Sequence, residues 1–144
     1  MILQAAVTPW ASGEPVPAAT PKPLPRYGVF VFSNECAQTG GNVTGDRITL
    51  LRFPAGDHAL YEYGNGQAQG PVLSESVTID EKTSAITIRV RDEWSTAPTR
   101  DGWGIDTIEG ELMPESLIVK LHGETRTTSL PRISGLPKPV GACK

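Results

Sequence analysis

The residues of this chain that could do acid, base, nucleophilic or metal chemistry are few and scattered. Its two histidines, His58 and His122, begin one strand-like run and end another, at positions ordinary for solvent-facing imidazole. Neither has ligand spacing to a cysteine, and zinc needs three or four ligands, so no metal site is expected. The chain contains no H-E-x-x-H, no G-x-S-x-G, no glycine-rich phosphate loop before a helix and no C-x-x-C. The acidic neighbours Asp80–Glu81 and Asp92–Glu93 would point to opposite faces of a strand, so neither pair forms an acid/base dyad without a bulge. Glu62, Glu75, Glu109 and Glu111 lie inside strand-like runs. Any of them on an interior face would be a buried carboxylate in need of a partner, and so a candidate ligand contact. Otherwise they face water, where glutamate usually sits. With no catalytic constellation, the expectation is a protein that is not an enzyme and carries no cofactor.

Aromatic residues offer more. DEWSTAPTRDGWG, residues 92–104, places Trp94 and Trp103 at the two bases of a long connection. The pair could clamp a wide hairpin across its strands, or line an opening for a ligand or a protein partner, since indoles are favoured at binding hot spots. With Tyr61 and Tyr63 of HALYEY they form the candidate ligand-binding set. A second connection, CAQTGGNVTGD at 36–46, is rich in glycine and small polar residues and reads as a mobile rim. Within it Asn42-Val43-Thr44 matches the glycan acceptor pattern, read here as chance.

The elements that must position these residues are strands. YGVFVFS (27–33), RITLLRF (47–53), HALYEY (58–63), PVLSESVTID (71–80), AITIRVRD (85–92), GIDTIEGEL (104–112), LIVKLHG (117–123) and TRTTSLPRI (125–133) are short apolar or alternating runs separated by turn residues. In the fifth, Ile86, Ile88 and Val90 alternate with Thr87, Arg89 and Arg91, the period of a half-buried strand. In the fourth, Leu73, Val77 and Ile79 share one parity. No window carries a helical stripe with caps.

Eight strands with turn-length connections predict an all-β, eight-stranded antiparallel up-and-down barrel, because a meander must either close or hide its edges. An antiparallel β-sandwich is the alternative, though its crossings between sheets are usually longer. Glycines within strand runs, Gly28, Gly104 and Gly110, suit the bends of a small barrel. If the first and last strands meet, the residues beyond their ends become neighbours. Cys36 follows the first strand and Cys143 ends the tail SGLPKPVGACK that leaves the last, which predicts a Cys36–Cys143 disulfide. Two cysteines far apart in sequence fit an oxidising compartment, so a secreted or periplasmic location is expected.

The chain of 144 residues carries a formal net charge of −3 and a pI near 5.4, with no basic stripe for nucleic acid and no apolar run long enough to span a bilayer as a helix. Its first 26 residues hold six of the 13 prolines, among Ala, Thr, Ser and Gly, and read as a disordered arm carrying one tryptophan, Trp10. Residues 27–144 then form a single domain, expected to be a monomer. The architecture resembles that of lipocalins and avidins, small secreted eight-stranded barrels that hold one ligand. The lipocalin G-x-W has no counterpart at the first strand, which reads Tyr27-Gly28-Val29-Phe30. The expected function is therefore a non-catalytic exported barrel holding a small apolar or amphipathic molecule in its interior. The alternative is a protein-binding module, an inhibitor or envelope component, using the Trp94/Trp103 loop or the proline-rich arm.

Overall fold

The structure, a computed structural model, describes residues 22–66, 68–91, 105–121, 124–133 and 140–144. Nine strands follow one another: β1 (Gly28–Ser33), β2 (Cys36–Ala37), β3 (Val43–Phe53), β4 (Gly56–Asn65), β5 (Ala68–Ile79), β6 (Ala85–Arg91), β7 (Ile105–Leu112), β8 (Ser116–Lys120) and β9 (Thr128–Ile133). No described residue is helical. From β3 to β9 each strand pairs antiparallel with the next, and β1 pairs with both β3 and β9. The result is the expected closed eight-stranded barrel, which excludes the sandwich, with the two-residue β2 laid beside the start of β3.

Alternation along each strand makes the core. Phe30 and Phe32 of β1, Ile48 and Leu50 of β3, Ala59 of β4, Ile86, Ile88 and Val90 of β6, Ile108 and Leu112 of β7, Leu117 and Val119 of β8 and Leu130 of β9 point inward as one apolar cluster. Several of them, including Phe32, Ile48, Leu50, Ile88, Leu117 and Leu130, expose nothing to water. A side chain that water cannot touch has no water-sized void against it. The middle of the barrel is thus filled by its own side chains, as an eight-stranded ring can be. The outward positions of β6 and β7 carry exposed Arg89, Arg91, Glu109 and Glu111.

Two sequence expectations need correction. Leu73 does not share a face with Val77 and Ile79. Between Ser74 and Ser76, β5 gains one residue relative to β6, so Ser74 opposes Val90 while Val77 opposes Ile88. That bulge at Glu75 reverses the alternation: Ser74 is buried, Leu73 is exposed, and Val77 and Ile79 pack on the core. The rim at 36–46 is also more ordered than its composition suggests. Cys36 and Ala37 pair with Thr44 and Val43, and the Gln38 N–H donates to the Asn42 carbonyl, leaving a tight turn where a mobile loop was expected.

Local chemistry sets the ends of the strands. The β5–β6 turn is built on Asp80, whose carboxylate accepts the backbone N–H groups of Lys82 and Thr83. These two donors hold the Asp80 carboxyl below its ordinary pKa. Gly110 lies where β7 and β8 come close; a methyl group there would fall well inside contact distance of the Ile118 carbonyl. Gly104 lies outside the described residues. Of the expected N-terminal arm, residues 22–26 are described, and the half-buried Leu24 packs against the core cluster.

The predicted disulfide is present. Cys36 and Cys143 are bonded, with Cα atoms 4.8 Å apart across a separation of 107 residues. Its tail partner docks on β2, where Ala37 forms a parallel bridge to Ala142. In the chain-entropy treatment a closed loop of about 100 residues contributes about 4.7 kcal/mol at most.

Candidate functional site

The barrel has two unlike ends. At the turn end lie the β3–β4, β5–β6 and β7–β8 turns, and residues Pro23 and Leu24 reach across it. Arg52 points inward there and is 6% exposed. Its guanidinium pairs with Glu81 and, at 3.4 Å, with Asp57. Burial works against this charge, but the two carboxylates outweigh it and the pKa moves up. A cavity of about 180 Å³ lies beside Leu24, Arg52 and Leu112. It is smaller than the roughly 300–1,000 Å³ of a small-molecule pocket. Its one buried cation is already compensated.

The disulfide end is different. Here β1 and β4 finish, β3 and β5 begin, and the chain leaves β6 at Arg91 and enters β7 at Ile105. Following the inner face of β3 from the turn end gives Arg52, Leu50, Ile48, Asp46 and Thr44, so the apolar column gives way to a carboxylate and a hydroxyl. On β4 the same walk gives Ala59, Tyr61 and Tyr63. Asp46 and Tyr63 are direct cross-strand partners. The Tyr61 hydroxyl donates to Asp46 Oδ1 at 2.8 Å, and the two tyrosine rings stack with centroids 5.6 Å apart. Tyr61 also packs on the core, so the tyrosines and Asp46 lie where the apolar interior gives way to polar side chains.

Backbone geometry holds this group in place. Where β1 departs from β3, Asn34 takes over the pairing. Its Oδ1 accepts the Asp46 N–H at 2.7 Å, and its own N–H donates to the Asp46 carbonyl at 3.1 Å. On the other flank, Gly70 has φ of +98°, and a Cβ there would sit 2.7 Å from the Tyr61 carbonyl oxygen. Only glycine combines that backbone conformation with so close an approach.

The electrostatics of Asp46 are unfavourable to its charge. Burial raises its pKa above the ordinary aspartate value; the Tyr61 hydrogen bond lowers it, and the charges of Glu124 and Glu35 raise it again. Glu35 is itself paired with Arg47 at 2.7 Å. A second inward carboxylate, the buried Asp106, comes from β7, four strands round the ring from β3 and so on the opposite wall. Thr44 Oγ1 lies 3.6 Å from Cys36 Sγ and 3.7 Å from Cys143 Sγ, which sets the disulfide at the rim.

Of the candidate residues, the structure brings Tyr61 and Tyr63 together on the inner face. Trp94 and Trp103 lie outside the described residues, as do His122 and Trp10. His58 is exposed on the outer face, across from Leu51. The four glutamates do not enter the barrel. Glu75, Glu109 and Glu111 are exposed, Glu75 accepting from Arg91 Nε at 2.8 Å, and Glu62 opposes Arg47 on the outer face. The carboxylates that face inward toward the disulfide end are aspartates, Asp46 and Asp106, and not the glutamates. Their signal was parity: Asp46 is in step with Ile48 and Leu50, and Asp106 with Ile108 and Leu112. Among the described residues no group of three or more His, Cys, Asp or Glu could hold a metal ion. No protein family, curated protein or solved structure matches this chain.

Proposed function

We propose that the protein is a non-catalytic binding barrel that holds one small amphipathic molecule in a shallow cup at its disulfide end. The flat apolar part of the molecule rests on the Tyr61–Tyr63 stack, and a hydrogen-bond donor or basic group meets Asp46. The observation that carries this reading is Asp46 itself, a carboxylate kept on the inner wall where burial and two like charges oppose its ionisation. Groups held against their own stability are expected where function needs them. With the mid-section filled and the turn end compensated, the inner-wall group Asp46, Tyr61 and Tyr63 supports this reading, because among the described residues it sets aromatic side chains beside a carboxylate. The disulfide supports an exported protein, secreted or periplasmic. The charged outer face of β6 and β7 supports a barrel that works in water, since a membrane barrel carries an apolar band there.

Native mass spectrometry of protein purified from its own source tests this reading by looking for a co-purifying small molecule. Amide shifts on adding it back should centre on Asp46, Tyr61 and Tyr63, and Tyr63→Ala should weaken binding by about tenfold or more, the worth of one lost aromatic contact. Shifts centred on Ile88 and Leu117 would move the ligand into the lumen and overturn the cup.

A second reading, a protein-binding module, is favoured by one surface. On the outer face near the turn end, Tyr27, Val29 and Phe53 are 49%, 58% and 46% exposed, with Val29 directly across from Leu51. Exposed apolar clusters of this kind mark contact sites. The same amide map separates the two, because a protein partner on this face shifts β1 and the β3–β4 turn and leaves Tyr63 unmoved.

A further inference from the structure

We infer that the Cys36–Cys143 disulfide is a releasable clasp, whose opening by a dithiol frees the C-terminal segment 140–144 from β2 while the barrel stays folded. Among the described residues, the attachments of that segment are few. The Ala37 N–H donates to the Gly141 carbonyl at 2.7 Å, the Cys143 N–H donates to the Ala37 carbonyl at 2.9 Å, Thr44 Oγ1 lies 3.7 Å from Cys143 Sγ, and the disulfide adds the covalent tie. No residue of 140–144 belongs to the apolar core; Gly141, Ala142 and Lys144 are exposed, and Val140 and Cys143 are half-buried. Two backbone hydrogen bonds at a wet rim do not offset the entropy of ordering five residues, so the covalent bond holds the segment in place.

The barrel does not share that dependence. Its ring closes through β1–β3 and β1–β9, with neither β2 nor the tail in the circuit. β2 keeps its own pairing with Val43 and Thr44, and the Gln38–Asn42 turn closes that hairpin. Opening the clasp therefore removes one strap and uncovers the outer edge of β2, the end of the sheet order, which the tail otherwise covers in parallel. The chemistry is thiol–disulfide exchange. A thiolate of the dithiol attacks one sulfur and expels the other as a thiolate, which takes up a proton. The second thiol of the reagent then displaces the protein from the mixed disulfide. The protein gains two electrons and two protons, and the dithiol leaves as its cyclic disulfide.

Hydrogen exchange on the full chain, oxidised and after dithiothreitol, reads the outcome. The Ala37 and Cys143 amides should lose protection by about 100-fold or more and approach the rates of free peptide, while those of Ile88 and Val119 stay strongly protected, changed only by the factor that the loss of global stability sets. The double variant Cys36→Ser/Cys143→Ser should reproduce the reduced pattern without reagent. Retained protection at Ala37 and Cys143 would show that the hydrogen bonds suffice and the bond is redundant. Collapse of protection at Ile88 and Val119 in both the reduced and the variant protein would make the disulfide a staple of the whole fold. Either result overturns the clasp.

Discussion

Two charges on the inner column of β3 show how residue chemistry divides the barrel. Arg52, at the turn end, has two carboxylate partners and a pKa moved up, so its ionic form belongs to the fold. Asp46, near the other end, receives one neutral hydroxyl and the opposing fields of Glu124 and Glu35. Its folded carboxyl therefore keeps its proton to higher pH than an unfolded aspartate does. Between the ordinary aspartate value and that raised value the folded state binds more protons, so this group's contribution to stability falls as pH rises through the window. Asp46→Asn keeps an oxygen acceptor for Tyr61 and removes the charge. The variant should be more stable than the parent at neutral pH, and the difference should shrink toward about pH 4. Urea unfolding midpoints at the two ends of that range check this, and a variant less stable at neutral pH would show that the carboxylate supports the fold.

Among the elements, β5 departs furthest from regular alternation. The bulge at Glu75 turns Ser74 inward, and its hydroxyl accepts the buried Ala59 N–H at 2.8 Å. Ser74 thus satisfies a backbone donor on the strand that carries Tyr61 and Tyr63. Ser74→Ala leaves that donor buried without an acceptor and should cost about 1–3 kcal/mol in chemical denaturation. A loss within experimental error would mean that β4 shifts to find another acceptor, and the Tyr61 amide resonance would move with it. The bulge also explains why the parity of Leu73 misled: one inserted residue reverses every side chain beyond it, and composition carries no mark of the insertion.

At the scale of the molecule, closure and covalent tethering are separate. Inner side chains from all around the ring fill the barrel, and Leu24 adds to that packing from the N-terminal side. The disulfide joins a peripheral strap to a peripheral strand. Removing the bond should lower global stability by no more than about 4.7 kcal/mol, the chain-entropy ceiling for a loop of about 100 residues, with the far-ultraviolet spectrum of the native barrel retained. Equilibrium unfolding with and without reductant measures this. Loss of the β spectrum on reduction alone would show that the ring needs its strap.

Much of this was legible in the residues alone. The alternation of Ile86, Ile88 and Val90 and the turn-length connections together predicted strands and a closed meander, because side-chain period is a local property. The pairing of Cys36 with Cys143 followed from closure, since the ends of a ring are neighbours. What only the tertiary structure decided was which polar groups turn inward and how much room they find. The exclusion of Glu62, Glu75, Glu109 and Glu111, and the inward placement of Asp46 and Asp106, depend on where each strand begins its alternation and on a bulge. A filled middle and a polar mouth depend on side chains from all eight walls meeting at one axis, a sum that no single stretch of sequence contains.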